Sequence, residues 1–194
     1  MFIVIEGLDG AGKSTVSKHL AKKLNAKLLT TPGEDFKRTR KQLDAAFKNN
    51  LKARQLFYMA TVLNVADKAQ SLLASGQNVV VDRYWLSTQV YHCWMTNGQH
   101  YNLHEIERDL LKPDLTVFLD LPKHERKKRI NNRNNCTAED SQTLTLKADD
   151  ALRNLYEQMS DSEPVGKWLS VDASQSVGAI VDTVLDNICQ EGLL

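Results

Sequence analysis

The segment from Phe2 to Leu24 constrains this chain more than any other. Phe2-Ile3-Val4-Ile5 is a short apolar run, largely β-branched, that reads as a buried strand. Gly7-Leu8-Asp9-Gly10-Ala11-Gly12-Lys13-Ser14 follows, and it matches G-x-x-x-x-G-K-[ST] at every fixed position. From Thr15 onward, Val16, Leu20 and Leu24 recur at helical spacing. A strand, a glycine loop and a helix in that order turn backbone N–H groups and a helix N-terminus onto phosphate oxygens. The segment Gly7 to Thr15 therefore implies a nucleoside triphosphate site. In it, Lys13 is placed to bridge the β- and γ-phosphates and the Ser14 hydroxyl to ligate Mg2+.

Strand and helix patterns alternate through the rest of the chain. Strands are expected at 26–30, 78–82, 115–120 and 167–171, and helices over 52–74, 86–95, the stretch before Pro113, the stretch after Pro122, and from Ser176 to Ile188. Continuous β-branched strands between helices imply an α/β fold, a five-stranded parallel sheet with helices on both faces. No internal repeat or linker splits the sequence, so residues 1–194 read as one domain. One stretch breaks the pattern: Asn131 to Asp140 is rich in Asn and charge and reads as an exposed loop or a short lid over phosphates.

A formal net charge of +1 gives no global electrostatic case for nucleic acid or a membrane surface as partner. Cys93, Cys136 and Cys189 are odd in number and widely spaced, which suggests free thiols in a reducing compartment. No apolar run reaches transmembrane length, and the chain opens on its first strand, so a cytoplasmic location is expected.

A phosphate loop alone does not name a reaction. The second signal is Asp82-Arg83-Tyr84-Trp85-Leu86-Ser87-Thr88, which begins where a strand ends, the edge at which open α/β sheets bind ligands. Asp82 is placed as a second carboxylate for Mg2+, and Arg83 to fork onto a further phosphate.

Taken together, Phe2 to Thr15, Asp82-Arg83-Tyr84 with Ser87, Pro113-Asp114-Leu115 and Val171-Asp172-Ala173-Ser174 resemble the thymidylate kinase family of P-loop nucleoside monophosphate kinases, over essentially the whole chain. Within it, Asp82-Arg83-Tyr84-Trp85, Ser87-Thr88 and Leu110 to Leu115 are similar to the mitochondrial-type UMP-CMP kinase branch. The resemblance implies the P-loop NTPase fold and transfer of the γ-phosphoryl of MgATP to a pyrimidine nucleoside monophosphate. The acceptor is dTMP by family default, with UMP, CMP, dUMP and dCMP as alternatives; a homodimer is also implied. It further implies that Asp9 takes the acceptor's 3′-hydroxyl, Arg83 its phosphate and Phe57 its base by stacking. Tyr91 would lie near the sugar 2′ carbon, with Ser87 and Thr88 in the same site.

Position 10 is Gly where one group of family members carries a basic residue, while Arg126, Arg129 and Arg133 lie in or just before the lid segment. That arrangement resembles the members whose lid supplies the cation for the transferring phosphoryl, with Arg129 also placed to stack on adenine. Two positions depart from the thymidylate kinase pattern. No arginine follows strand two until Arg38 and Arg40, and Arg40 is the expected substitute. Thr61 stands where those kinases place a base-reading arginine, and Phe57, Thr61 and Asn64 would share one helix face. A deoxynucleoside kinase using Glu6 or Asp82 as base, and a nucleotide-binding module without turnover, are the rival readings.

Overall fold

The computed structural model describes residues 1–99, 103–132 and 142–193. Strands β1 (Phe2–Glu6), β2 (Lys27–Thr30), β3 (Val79–Asp82), β4 (Leu115–Asp120) and β5 (Lys167–Asp172) form one parallel sheet in the order β2-β3-β1-β4-β5. The helices are α1 (Lys13–Lys23), α2 (Lys37–Ala46), α3 (Leu51–Ala74), α4 (Trp85–Met95), the single turn α5 (His104–Glu107), α6 (Lys123–Asn131), α7 (Leu146–Gln158) and α8 (Val177–Gln190).

The alternation of side chains along β1 assigns the two layers. Phe2 and Val4 face a core with Met59, Val62 and Val65 of α3, Val90 of α4, and Leu152 and Tyr156 of α7. Ile3 and Ile5 face the opposite core, with Val16 and Leu20 of α1 and Ile180, Val181 and Val184 of α8. Helices therefore cover both faces, as the apolar strands require. Three helices start on a side chain that accepts a backbone N–H: Asn50 from Ala53 at 3.0 Å, Thr145 from Ala148 at 3.2 Å and Ser176 from Ala179 at 3.2 Å.

The expected strands and the helices over 52–74, 86–95 and 177–188 form within a residue or two of their sequence bounds. Helix α2 falls where no apolar stripe marks an element, because none of its described side chains is buried. The helix expected before Pro113 is only the turn α5 among the described residues. Residues 133–140 of the expected lid, Arg133 included, lie outside the described residues.

Candidate active site

The β1–α1 loop bends around three glycines with positive φ, and Gly12, φ +104°, caps the start of α1. A Cβ at Gly10 would stand 3.0 Å from the Ile130 side chain and 3.1 Å from the Arg126 carbonyl of α6, so loop and helix are in contact there. Lys13 folds back under the loop and its Nζ donates to the carbonyls of Gly7 at 2.8 Å and Leu8 at 2.9 Å. Burial and the nearby Arg83 cation bring its pKa down to about 7, while Asp9, Asp82 and Glu6 resist the shift.

Across the sheet edge, the Ser14 hydroxyl donates to Asp82 Oδ2 at 2.5 Å. Asp82 Oδ1 is buried and has no hydrogen-bond partner among the described residues. This is a pair of hard oxygen donors of the kind Mg2+ prefers, with one carboxylate oxygen unengaged, so the residues fit the ion.

Arg83 follows directly, in the left-handed region at φ +68°, which a non-glycine residue adopts only when its surroundings fix it. Its guanidinium donates to Asp9, and to Ser87 Oγ at 3.4 Å. The second Asp9 oxygen accepts from the Tyr91 hydroxyl at 2.8 Å. Burial works to raise the Asp9 pKa, but the Arg83 and Lys13 charges and the Tyr91 hydrogen bond outweigh it and hold the carboxyl well below the usual range.

Glu6 lies beneath this group, fully buried. Its carboxylate accepts from the N–H groups of Tyr84 at 2.9 Å and Ser87 at 3.2 Å, and from the Ser87 hydroxyl. Desolvation raises its pKa against those bonds. Glu6 thus pins the start of α4 to the end of β1.

On the far side of the loop, α6 supplies two arginines with different surroundings. Arg126 is wholly buried: Nε donates to the Asp9 carbonyl at 2.7 Å, Nη1 to Asp149, and Nη2 to Thr143 Oγ1 at 3.4 Å. Asp149 also accepts from Arg153 at 2.8 Å, and Arg153 reaches Asp120. Of the arginines expected in or just before the lid, Arg126 is thus paired inside the protein. Arg129 lies over the loop, donating to the carbonyls of Ala11 at 3.2 Å and Ala173 at 2.8 Å.

A cavity of about 340 Å³ opens from Asp9 toward α3. Arg83, Ser87, Thr88 and Tyr91 from the β3–α4 segment line it, as does Arg40 from α2, all of them expected from the sequence. From α3 it is Arg54 and Tyr58 that face the cavity. Phe57 and Thr61 do not line it. The Phe57 ring meets Phe36 and Tyr58 edge-on, and Thr61 is 0% exposed, its hydroxyl donating to the Tyr58 carbonyl at 2.7 Å. For Phe57 helical phase contributes, since it lies about 100° around the axis from Tyr58; Thr61 shares the phase of Arg54 and Tyr58 but is buried, with its hydroxyl spent on the helix backbone.

The helix α3 contribution is held by Asp44 of α2. It accepts from Arg54 Nε at 3.1 Å and from the Tyr58 hydroxyl at 3.1 Å, while Arg40 Nε donates to the same hydroxyl at 3.0 Å. None of Arg54, Tyr58, Asp44 and His92 has a role assigned from the sequence; the phase of α3 and α4 places Arg54, Tyr58 and His92, and Asp44 comes from α2.

A parallel sheet with this phosphate loop, two oxygen donors at its edge and a cation-lined cavity beside it defines a P-loop nucleotide kinase. A family model described as thymidylate kinase matches residues 5–184. The chain belongs to the thymidylate kinase family, which makes it an ATP-dependent nucleoside monophosphate kinase. It is 32% identical to the probable thymidylate kinase of Thermococcus onnurineus, over 94% of this chain and 97% of that one. It is 30% identical to the thymidylate kinase of Pseudomonas syringae pv. syringae, over 98% and 97%. In fold it is similar to the Candida albicans thymidylate kinase, at TM-score 0.72 and 22% identity over 98% of this chain and 92% of that one. It is similar too to the deoxyadenosine kinase of M. mycoides, at TM-score 0.70 and 20% identity over 97% and 99%. The resemblance to the mitochondrial-type UMP-CMP kinase branch finds no support in these relatives.

Proposed function

We propose that this protein transfers the γ-phosphoryl of ATP to the 5′-phosphate of a pyrimidine nucleoside monophosphate, with dTMP as the first substrate to test. The observation that carries this reading is the double membership of Asp9. It belongs to the phosphate loop and also walls the cavity, next to Arg83 and Tyr91. A phosphate held by Arg83 therefore lies beside a triphosphate held by the loop.

The cavity's charge favours a phosphorylated acceptor. Arg40, Arg54 and Arg83 all contribute to its wall, and cations there suit an anionic ligand. A nucleoside as acceptor would call for a carboxylate base in the cavity, but Glu6 is engaged by Tyr84 and Ser87, and neither Glu6 nor Asp82 lines the cavity. Asp9 and Tyr91 would hold the sugar. Lys13 follows the charge moving between the β- and γ-oxygens, Arg83 neutralises the attacking phosphate, and Arg129 approaches the loop from the α6 side. Aligned reactants and fixed cations supply most of the acceleration such transfers need. Ser14 and Asp82 would hold Mg2+, which when bound neutralises charge on the phosphate oxygens.

Arg133 completes this reading as a further cation for the transferring phosphoryl, carried on a lid over 131–140. The family likeness supports a homodimer and a cytoplasmic location as parts of the same reading. Among the described residues no helix is long and apolar enough to cross a membrane. The test is ADP release with ATP and a panel of dTMP, dUMP, dCMP, UMP and CMP, with the matching nucleosides as controls. Turnover with nucleosides and none with monophosphates would overturn it.

A further inference from the structure

His92 is 3% exposed and lines the cavity one helical turn beyond Thr88. Its Nδ1 stands 2.7 Å from the Thr88 carbonyl. A carbonyl only accepts, so the ring proton sits on Nδ1, and Nε2 presents a lone pair. That atom is buried and has no partner among the described residues. Burial is the main reason the imidazole's pKa falls to about 4; the Arg54 charge adds to the fall, and Thr88 and Asp44 oppose it. The ring is neutral at ordinary pH, and Nε2 stays an acceptor.

The position of this acceptor in the cavity is informative. Tyr91, its neighbour in sequence, reaches the loop end through Asp9. His92 turns instead toward α3, its ring centroid 5.8 Å from that of Tyr58. With phosphate and sugar at the Asp9 end, the α3 end receives the base, and Tyr58 and Trp94 supply flat surfaces there. Buried polar atoms that a ligand must satisfy are the strongest source of discrimination, because a ligand without the matching group leaves them unpaired.

We propose that His92 reads the acceptor base, its Nε2 taking an N–H from the base edge: the ring N3–H of thymine or uracil, or the 4-amino group of cytosine. This rests on the monophosphate kinase reading above. Thr61, expected from the sequence to do this work, is buried with its hydroxyl on the Tyr58 carbonyl and does not line the cavity.

The test uses a nucleotide that lacks the donor. A 2′-deoxyribonucleoside 5′-monophosphate of pyrimidin-2-one has no N–H on its base. The wild-type enzyme should prefer the best natural pyrimidine nucleotide over it by about 10-fold or more in kcat/KM. His92→Phe keeps an aromatic against Tyr58 and removes the acceptor, so the preference should collapse toward equality with little change in KM for ATP. His92→Gln places an amide oxygen near Nε2 and should keep most of the preference. Equal use of both nucleotides by wild type, or an unchanged preference in folded His92→Phe, overturns the assignment. If the Phe variant does not fold, loss of the preference in His92→Gln overturns it and retention supports it. Calorimetric binding of both nucleotides reads the same preference without turnover, so a chain that binds but does not phosphorylate sinks the kinase reading alone. A chain that binds neither sinks both.

Discussion

Arg83 and Asp9 are ion-paired at the point where the phosphate loop meets the cavity, with Arg83 held at φ +68° and the other Asp9 oxygen taken by Tyr91 at 2.8 Å. An acceptor phosphate bound at Arg83, as proposed above, would compete with Asp9 for the same guanidinium. The carboxylate thus tunes how tightly Arg83 holds anions and positions Tyr91 at once.

Asp9→Asn should separate those two effects. Inhibition by sulfate should strengthen, because Arg83 loses its competing anion, while KM for the nucleotide acceptor should rise about 10-fold as the sugar contact weakens. The stability cost has a defined pH dependence. Asp9's folded pKa is depressed, so it contributes stability above its unfolded value near roughly 3.9, and that contribution fades as pH falls through the folded value. Urea melts of the two proteins should therefore differ at neutral pH and converge in strong acid.

Lys13 should take up a proton when MgATP binds. Phosphate oxygens around Nζ favour the ammonium form over the neutral amine that burial and Arg83 promote near pH 7, so the bound pKa rises above about 7. Affinity should then increase as pH is lowered through that region. Calorimetry in buffers of different ionisation enthalpy measures the uptake, which should vanish in Lys13→Met. That variant should also lose roughly 10²-fold in turnover.

Arg126 is a stability prediction. Arg126→Met removes the charge that faces Asp149 and leaves the carboxylate buried, although Arg153 still contacts it. Breaking one side of a buried pair costs about 3–5 kcal/mol, and the remaining Arg153 contact should put this variant at the low end. The double variant Arg126→Met, Asp149→Leu should recover part of the loss in denaturant melts.

Thr61→Arg should not redirect base preference. The residue is 0% exposed and its side chain points to the Tyr58 carbonyl, so an arginine there overpacks α3 and costs roughly 1–3 kcal/mol or more. The dTMP to dCMP ratio of kcat/KM should stay where it is. A shift toward dTMP in a folded Thr61→Arg enzyme would place residue 61 in the cavity after all.

The sheet was legible because apolar runs such as Val79-Val80-Val81 leave few alternatives, and punctuation such as Gly76 and Ser176 marks where helices stop and start. The loop residues, Asp82 and Arg83 were legible because they sit at strand ends, where position in sequence fixes position in space; Ser87, Thr88 and Tyr91, on α4, came from the family resemblance. On the long helix α3 that link is lost. A residue's face there depends on the phase of the whole helix against the sheet, which tertiary packing sets, and Phe57 beside Tyr58 shows how one position changes the outcome. Helix α2 was hidden for a related reason: its anchor is Asp44 reaching Arg54 and Tyr58, a polar contact with no periodic signature.

The contact between Gly10 and α6 sets a limit on how this enzyme can be altered. A graft that brings a basic side chain into the loop at Gly10 would have to displace Ile130 and the Arg126 backbone, which would stand 3.0 and 3.1 Å from its Cβ, inside ordinary van der Waals contact. Moving that helix also moves the Arg126 bond to Asp9 and Arg129's bond to Ala11. A cation on the loop and a tight α6 compete for the same volume, so a lineage or an engineer can trade one for the other only by rebuilding both together.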